Sequence, residues 1–248
     1  MNGFDTIIYE KKDSIAFVTL NRPQLLNAYN IKMRDELYQA LTAIKDDSEV
    51  RVVIFSGARD RAFCAGADLT EFLTAPTPII ARQARWERDI WGVFLSLPQP
   101  LIAALHGYVL GSGIEIALCC DLRFASEDAR FGLPETGIGI MPAAGGTQTL
   151  PRIIGRAKTL EMLLAGIWLD AQQAYCLGLV NRIVPRHDLL PTTHRVAQKI
   201  ATYSPLVVRW AKQAIRRGMD LPLLHGLEME RKLATLALTT INTDGGEP

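Results

Sequence analysis

Two glutamates in apolar, glycine-rich surroundings are the residues of this chain best suited to acid–base chemistry. Glu115 follows Gly-Ser-Gly at 111–113 and has apolar neighbours on both sides, and Glu135 ends the segment Phe-Gly-Leu-Pro-Glu at 131–135. A carboxyl group that is removed from water must gain a partner or hold its proton more tightly. For Glu115 a helix-terminal role stays open, and for Glu135 a capping or solvent-exposed one. As a pair they indicate general acid–base catalysis.

Two segments of small residues can bring backbone N–H groups against a ligand. The first is Phe-Cys-Ala-Gly-Ala-Asp-Leu at 63–69, and the second is 111–113, which follows a predicted strand and opens a predicted helix. Unpaired N–H groups at a helix start favour negative charge, as in an oxyanion hole. A tight turn with a helix cap is the alternative for 111–113. A dinucleotide fingerprint is excluded because it would need glycine at position 116, which is Ile116. A nucleophile elbow centred on Ser112 is excluded because positions 110 and 114 would have to be glycine and are Leu110 and Ile114.

Composition restricts the class of protein. With 248 residues, 27 Lys and Arg against 26 Asp and Glu, the chain fits one domain and has no excess of positive charge for a nucleic acid. No apolar run approaches the roughly 20 residues of a spanning helix, and the N-terminus does not resemble a signal peptide. We therefore expect no nucleic acid and no membrane as partner, and a cytoplasmic location. The four cysteines show no metal-ligand spacing, which indicates buried free thiols and no metal.

Strand and helix patterns alternate along the chain around these residues, which predicts an α/β fold. Residues 1–185 are predicted to form the core with the active site, and 186–248 a helical region that forms oligomers. The predicted elements are a hairpin over 5–20, a helix from the N-cap Asn30 to 46, strands over 51–57, 101–105, 122–125 and 130–131, a helix over 112–120, a strand over 180–184 and a last helix over 221–240.

Motifs in order along nearly the whole chain resemble those of the crotonase family, the enoyl-CoA hydratases and isomerases. The matching segments are Asn-Arg-Pro at 21–23 with Asn27-Ala28, 63–69, His-Gly-Tyr at 106–108 with 111–121, 131–135, 137–142, 145–148, 150–152 and 178–181. The resemblance implies a crotonase-like spiral of ββα units, followed by helices that build homotrimers or dimers of trimers.

The resemblance also implies roles for individual residues. Glu115 and Glu135 would be catalytic, and the backbone N–H groups of Ala67 and Ser112 would form the oxyanion hole. The ligand would be an acyl-CoA, with no metal and no cofactor other than the CoA of the substrate itself. Residues expected to contact this substrate are Asn27, Ala28, Ala65, Gly66, Asp68, Leu69, Gly111, Leu133, Pro134 and Pro142.

The reaction implied is reversible addition of water to a 2-enoyl-CoA. Both glutamates are present, whereas family members that only move a double bond often keep one, so a hydratase is favoured over an isomerase or another acyl-CoA enolate reaction. Which glutamate activates water stays open. Trp86, Trp91 and Phe94 suit either an acyl-pocket wall or plain core. The sequence ends at Pro248, before a further helix common in the family, which leaves a non-catalytic acyl-CoA-binding subunit as an alternative.

Overall fold

The computed structural model describes residues 3–72 and 88–243. Within these ranges the strands are β1 (Ile7–Lys12), β2 (Ile15–Leu20), β3 (Val52–Gly57), β4 (Ala62–Cys64), β5 (Leu101–Leu105), β6 (Tyr108–Leu110), β7 (Leu122–Ser126), β8 (Arg130–Gly132), β9 (Leu169–Asp170) and β10 (Arg182–Val184). The α-helices are α1 (Ile31–Asp46), α2 (Leu69–Phe72), α3 (Ile90–Ser96), α4 (Ser112–Cys119), α5 (Gly146–Ile154), α6 (Arg156–Leu164), α7 (Ala171–Cys176), α8 (Leu189–Ala201), α9 (Pro205–Gly218) and α10 (Leu223–Thr243). Short 3₁₀ helices span Pro23–Leu25, Glu135–Ile138 and Arg186–Asp188.

The strands form two sheets that share the chain turn by turn. The larger sheet has the order β1-β2-β3-β5-β7-β10, and the smaller has the order β4-β6-β8-β9. Consecutive strands β3 and β4, β5 and β6, and β7 and β8 each send one member to each sheet, and within a sheet these strands are parallel. Repetition of this strand–strand–connection unit produces the predicted spiral of ββα turns. It also places β6 and β8, which precede the two glutamates, side by side.

Apolar periodicity explains where the core lies. The strand β5 reads Leu-Ile-Ala-Ala-Leu and is buried at every position, as expected for a parallel strand covered on both faces. The helix α1 begins after Asn30, whose side-chain oxygen accepts the Met33 N–H at 2.9 Å, and it buries Leu37 and Leu41 in the main core. Ile31, the first residue of this helix, is not part of the core, because half of its surface is exposed.

The C-terminal helices divide into one that covers a sheet and two that project from it. Leu189 and Ala197 of α8 pack on the larger sheet against Ile54 and Ile102. The following α9 and α10 pack on each other and contain no fully buried apolar residue among those described. Lys212 of α9 fastens this pair to the core through a 2.7 Å ion pair with Asp121. The division of the chain at residue 185 stays a prediction.

Several elements differ from the sequence-based expectation. The short strands β4, β6 and β9 are not among the predicted elements, because three residues or fewer give no readable alternation. Of the cysteines, Cys64, Cys119 and Cys120 are buried as expected, but Cys176 at the end of α7 is exposed.

In the described ranges no helix is both long enough and apolar enough to cross a membrane.

Candidate active site

The start of α4 is the centre of the candidate site. Gly111 precedes this helix with φ +50° and ψ −121°, a conformation that L side chains rarely adopt. A methyl group placed on Gly111 would lie 2.9 Å from Glu135 Oε1 and 3.4 Å from the Gly66 Cα. The helix start, the segment carrying Gly66 and the Glu135 carboxyl group therefore meet at one point. Gly113 is equally confined, since a methyl group there would lie 2.2 Å from the Cys64 carbonyl oxygen.

Glu115 lies one turn into α4 and is 3% exposed. Its Oε1 accepts two backbone N–H groups, from Ala144 at 3.0 Å and from Gly146 at 2.9 Å. Gly146 allows this approach, because a methyl group at that position would lie 3.0 Å from the same oxygen. The sequence predicted that a buried Glu115 would need a partner, but it did not identify these two N–H donors. Hydrogen bonds donated to a carboxylate favour its ionised form.

Glu135 is the first residue of the 3₁₀ helix Glu135–Ile138 and is 8% exposed, so it is not the solvent residue that remained an alternative. Its Oε2 is buried and has no hydrogen-bond partner in the described part of the chain. Burial away from water raises the pKa of the Glu135 carboxyl group above its ordinary value of 4.5. The two glutamates thus differ in environment, because Glu115 accepts two backbone N–H groups on one oxygen, whereas Glu135 has a buried oxygen without a partner.

Two backbone N–H groups lie on the elements that meet at this point. Ala67 forms a parallel bridge with Tyr29, in which the Tyr29 N–H donates to Gly66 O and the Asp68 N–H donates to Tyr29 O, both at 2.8 Å. In such a bridge the N–H of Ala67 itself points away from Tyr29. Ser112 is the first residue of α4, whose N–H has no intrahelical acceptor. Among the hydrogen bonds of the described residues, neither the Ala67 nor the Ser112 N–H is a donor.

The segment around Asn27 supports the loop before α2. The Asn27 side chain is 1% exposed and donates to the carbonyl oxygens of Ala58 and Ala62, while its Oδ1 accepts the Arg22 N–H. Asn27 also has φ +56°, in the left-handed region that asparagine tolerates better than most residues. Its side chain is therefore occupied in holding the backbone. Contact of Asn27 with a substrate stays a prediction.

The other residues predicted to contact substrate differ in accessibility. Gly66 and Gly111 are buried where the two segments meet, and Pro142 is buried with its Cβ 3.4 Å from a methyl group placed on Gly146. Ala28, Ala65, Asp68 and Pro134 are partly exposed, Leu69 is half exposed, and Leu133 is fully buried in the core. The structure thus brings Gly66, Gly111, Pro142 and both glutamates around the start of α4.

The aromatic residues of α3 support a mixed interpretation. Phe94 is fully buried in the core, where its ring lies 5.2 Å from that of Phe55. Trp91 is partly buried, and its ring centroid lies 5.9 Å from that of Tyr29. Phe94 is therefore a core residue. Trp91 lies beside Tyr29, and its role as an acyl-pocket wall stays a prediction. Trp86 lies outside the described residues. No cluster of three His, Cys, Asp or Glu that suits a metal occurs in the ranges described.

Comparison with known proteins identifies the family of this chain. The family model described as enoyl-CoA hydratase/isomerase matches residues 10–244. The chain belongs to the enoyl-CoA hydratase/isomerase, or crotonase, family. Its two mixed sheets and C-terminal helices are the α/β crotonase fold, as predicted. A crystal structure of an enoyl-CoA hydratase from Bacillus anthracis superposes with a TM-score of 0.88 at 39% identity, and covers 93% of this chain and 90% of the other.

Similar crotonase-family proteins include enzymes named for hydration. The chain is 40% identical to the 2,3-dehydroadipyl-CoA hydratase of Escherichia coli K12 over 94% of this chain and 91% of that protein. It is 35% identical to the crotonyl-CoA hydratase of Syntrophomonas wolfei over 96% of this chain and 92% of the relative. Membership of the family implies an acyl-CoA as substrate.

Proposed function

We propose that the protein is a 2-enoyl-CoA hydratase that uses Glu115 and Glu135 as a complementary acid–base pair. The observation that carries this proposal is the contrast between the two buried carboxyl groups. Glu115 accepts two N–H donors on one oxygen, whereas Glu135 has a buried oxygen without a partner and a raised pKa. Such a contrast favours one carboxylate and one carboxylic acid at the same pH, which is what addition of water to a double bond requires.

The same contrast supports a division of roles between the two glutamates, which we propose as follows. Glu115, as the carboxylate, takes a proton from the attacking water while the water oxygen bonds to Cβ. Glu135, as the carboxylic acid, gives its proton to Cα. The electron pair displaced from the double bond passes through the thioester, where an enolate oxygen forms and then returns the pair to Cα. The product is the 3-hydroxyacyl thioester, and solvent resets both glutamates by moving one proton from Glu115 to Glu135.

The N–H groups of Ala67 and Ser112 are proposed to hold the thioester oxygen during this step. Both belong to segments that meet beside Gly111, and neither makes a hydrogen bond within the described chain. Removal of one donor from an oxyanion hole costs roughly 2.7–4 kcal/mol in well-studied enzymes. Because the donor is the main-chain N–H, the serine side chain at position 112 does not prevent this role. No metal or redox group is needed, since CoA enters as part of the substrate.

The two projecting helices are proposed to form a homotrimer or a dimer of trimers. In α9 and α10, large apolar side chains are exposed, among them Leu223 at 77%, Leu224 at 74% and Leu238 at 65%. A face of this kind marks an interface.

The proposed location is the cytoplasm.

The test is hydration of crotonyl-CoA, followed by loss of the ultraviolet absorbance of the conjugated thioester. Loss of absorbance that Glu115→Gln and Glu135→Gln both abolish supports the proposal. An enoyl-CoA isomerase, which needs one acid–base carboxylate, would move a double bond from position 3 to 2 and tolerate one of the substitutions. A non-catalytic acyl-CoA-binding subunit would bind the thioester without changing it.

A further inference from the structure

Arg22 joins the segment 27–29 to the segment 65–69, which contains Ala67. Its Nη1 donates to the Ala28 carbonyl oxygen at 2.7 Å, and its Nη2 lies 2.8 Å from Asp68 Oδ2. The side chains of Arg22 and Asp68 are only 13% and 10% exposed. A charge-assisted pair of this kind, with water largely removed, is stronger and more directional than a surface ion pair.

The Arg22 guanidinium adds to the Tyr29 hydrogen bonds that surround Ala67, the proposed oxyanion donor. Tyr29 holds the residues before and after Ala67, because its N–H donates to Gly66 O and its carbonyl oxygen accepts the Asp68 N–H. Arg22 then ties Ala28, the neighbour of Tyr29, to the side chain of Asp68. The peptide planes on both sides of Ala67 are therefore fixed from two directions. Little freedom is left for the Ala67 N–H.

The rest of Asp68 is also occupied. Its Oδ1 accepts the hydroxyl and the N–H of Thr70 at 2.7 and 3.2 Å, at the start of α2. Hydrogen bonds from Thr70 and Arg22 hold the pKa of Asp68 below its usual value, so it stays a carboxylate at neutral pH. A permanently charged, doubly engaged side chain is suited to holding backbone and unsuited to exchanging protons during a reaction.

We propose that Arg22 and Asp68 are positioning residues that aim the Ala67 N–H at the thioester oxygen. The inference rests on the proposed function, because it needs Ala67 to be an oxyanion donor. Neither side chain is required to touch the substrate. Loss of the pair releases the segment 65–69 and misaligns the N–H group, and a misplacement of about 1 Å in an active site costs on the order of 100-fold in rate.

The test measures carbonyl polarisation separately from turnover. Cinnamoyl-CoA is a conjugated thioester whose absorption moves to longer wavelength when its carbonyl oxygen is polarised by hydrogen bonds. We expect Arg22→Met to reduce the shift of the bound thioester by more than about half. With crotonyl-CoA we expect kcat to fall about 10- to 100-fold and KM to change less than about threefold. Asp68→Asn keeps the shape of the side chain but removes its charge, and it should reduce the spectral shift and kcat less than Arg22→Met does. The double variant should reduce them no more than Arg22→Met alone.

A matched control is Glu36→Gln, which alters a buried carboxylate whose hydrogen bonds go to Asp5 and Thr6 and not to the segment 65–69. Glu36 is 7% exposed and accepts the Asp5 and Thr6 N–H groups and the Thr6 hydroxyl, so its substitution should destabilise the fold comparably. We expect its spectral shift and kcat to match the unaltered protein.

Three outcomes would overturn the proposal. An Arg22→Met protein that keeps both the full shift and kcat refutes positioning by Arg22. If Glu36→Gln loses the spectral shift and kcat to the same extent, general destabilisation would explain the effect of Arg22→Met. If the unaltered protein binds the thioester with no shift, the oxyanion assignment itself fails, and the proposed function fails with it. Should Arg22→Met not fold, Arg22→Lys decides, because lysine keeps the charge but cannot reach both acceptors.

Discussion

Replacement of Gly111 by alanine tests the geometry at the start of α4. A β-carbon on Gly111 would lie 2.9 Å from Glu135 Oε1, closer than carbon and oxygen normally approach without a hydrogen bond, and 3.4 Å from the Gly66 Cα. The carboxyl group can move, but only by leaving the point where it meets the helix start. Positive φ adds backbone strain of roughly 1–3 kcal/mol. The substitution therefore perturbs Glu135 and the two proposed oxyanion segments together.

We expect Gly111→Ala to lower kcat for crotonyl-CoA hydration by about 10- to 100-fold, since sub-ångström to 1 Å displacements have effects of that size. The free energy of unfolding, measured with urea, should fall by about 1–3 kcal/mol. Gly155→Ala is the matched control. Gly155 also has positive φ, +82°, but nothing lies within 4 Å of a methyl group placed there.

The control should therefore lose similar stability and keep its kcat. The reasoning would be refuted if a folded Gly111→Ala protein kept kcat within about twofold, or if Gly155→Ala lost as much activity. The first result would mean that contact with Glu135 and Gly66 does not limit the reaction, and the second that backbone strain alone explains the loss of activity.

Three further predictions concern other parts of the molecule. Gly146→Ala places a methyl group 3.0 Å from Glu115 Oε1 and should reduce kcat by about 10-fold or more, with KM nearly unchanged in steady-state assays. The Glu135 pKa is raised in the folded state, so both kcat/KM and the free energy of unfolding should fall as pH rises from about 4.5 through that raised pKa. Glu135→Gln should remove this pH dependence of stability in urea titrations, and a wild-type-like profile in that variant would contradict the assignment. Leu224→Asp should reduce the molar mass seen by light scattering if α10 forms the oligomer, and an unchanged mass would exclude this face.

The sequence predicted the long elements well because their patterns are strong. The helix α1 begins at Ile31 after the Asn30 cap and ends at Asp46, as its apolar spacing and capping residue indicated. The buried run of β5 was equally readable. The three-residue strands β4 and β6 were not, because their pairing depends on the stacking of successive turns rather than on local pattern.

The candidate site was predictable in its residue types but not in its contacts. Burial of Glu115 followed from its apolar neighbours, whereas a solvent-exposed position stayed open for Glu135; both are buried in the structure. The donors to Glu115, the N–H groups of Ala144 and Gly146, lie about 30 residues away and became visible only in the fold. The role of Arg22 was likewise hidden, since its partner Asp68 is 46 residues distant. Long-range hydrogen bonds of this kind leave no periodic signal in a sequence.

Hydration by the Glu115–Glu135 pair can be tested by identifying, with nuclear magnetic resonance, the product that crotonyl-CoA gives in D₂O. We expect 3-hydroxybutyryl-CoA with deuterium at Cα and the hydroxyl group at Cβ, and no such product from Glu115→Gln or Glu135→Gln. A product with a moved double bond, or hydration that survives loss of either glutamate, would contradict the proposal that this pair adds water to the thioester.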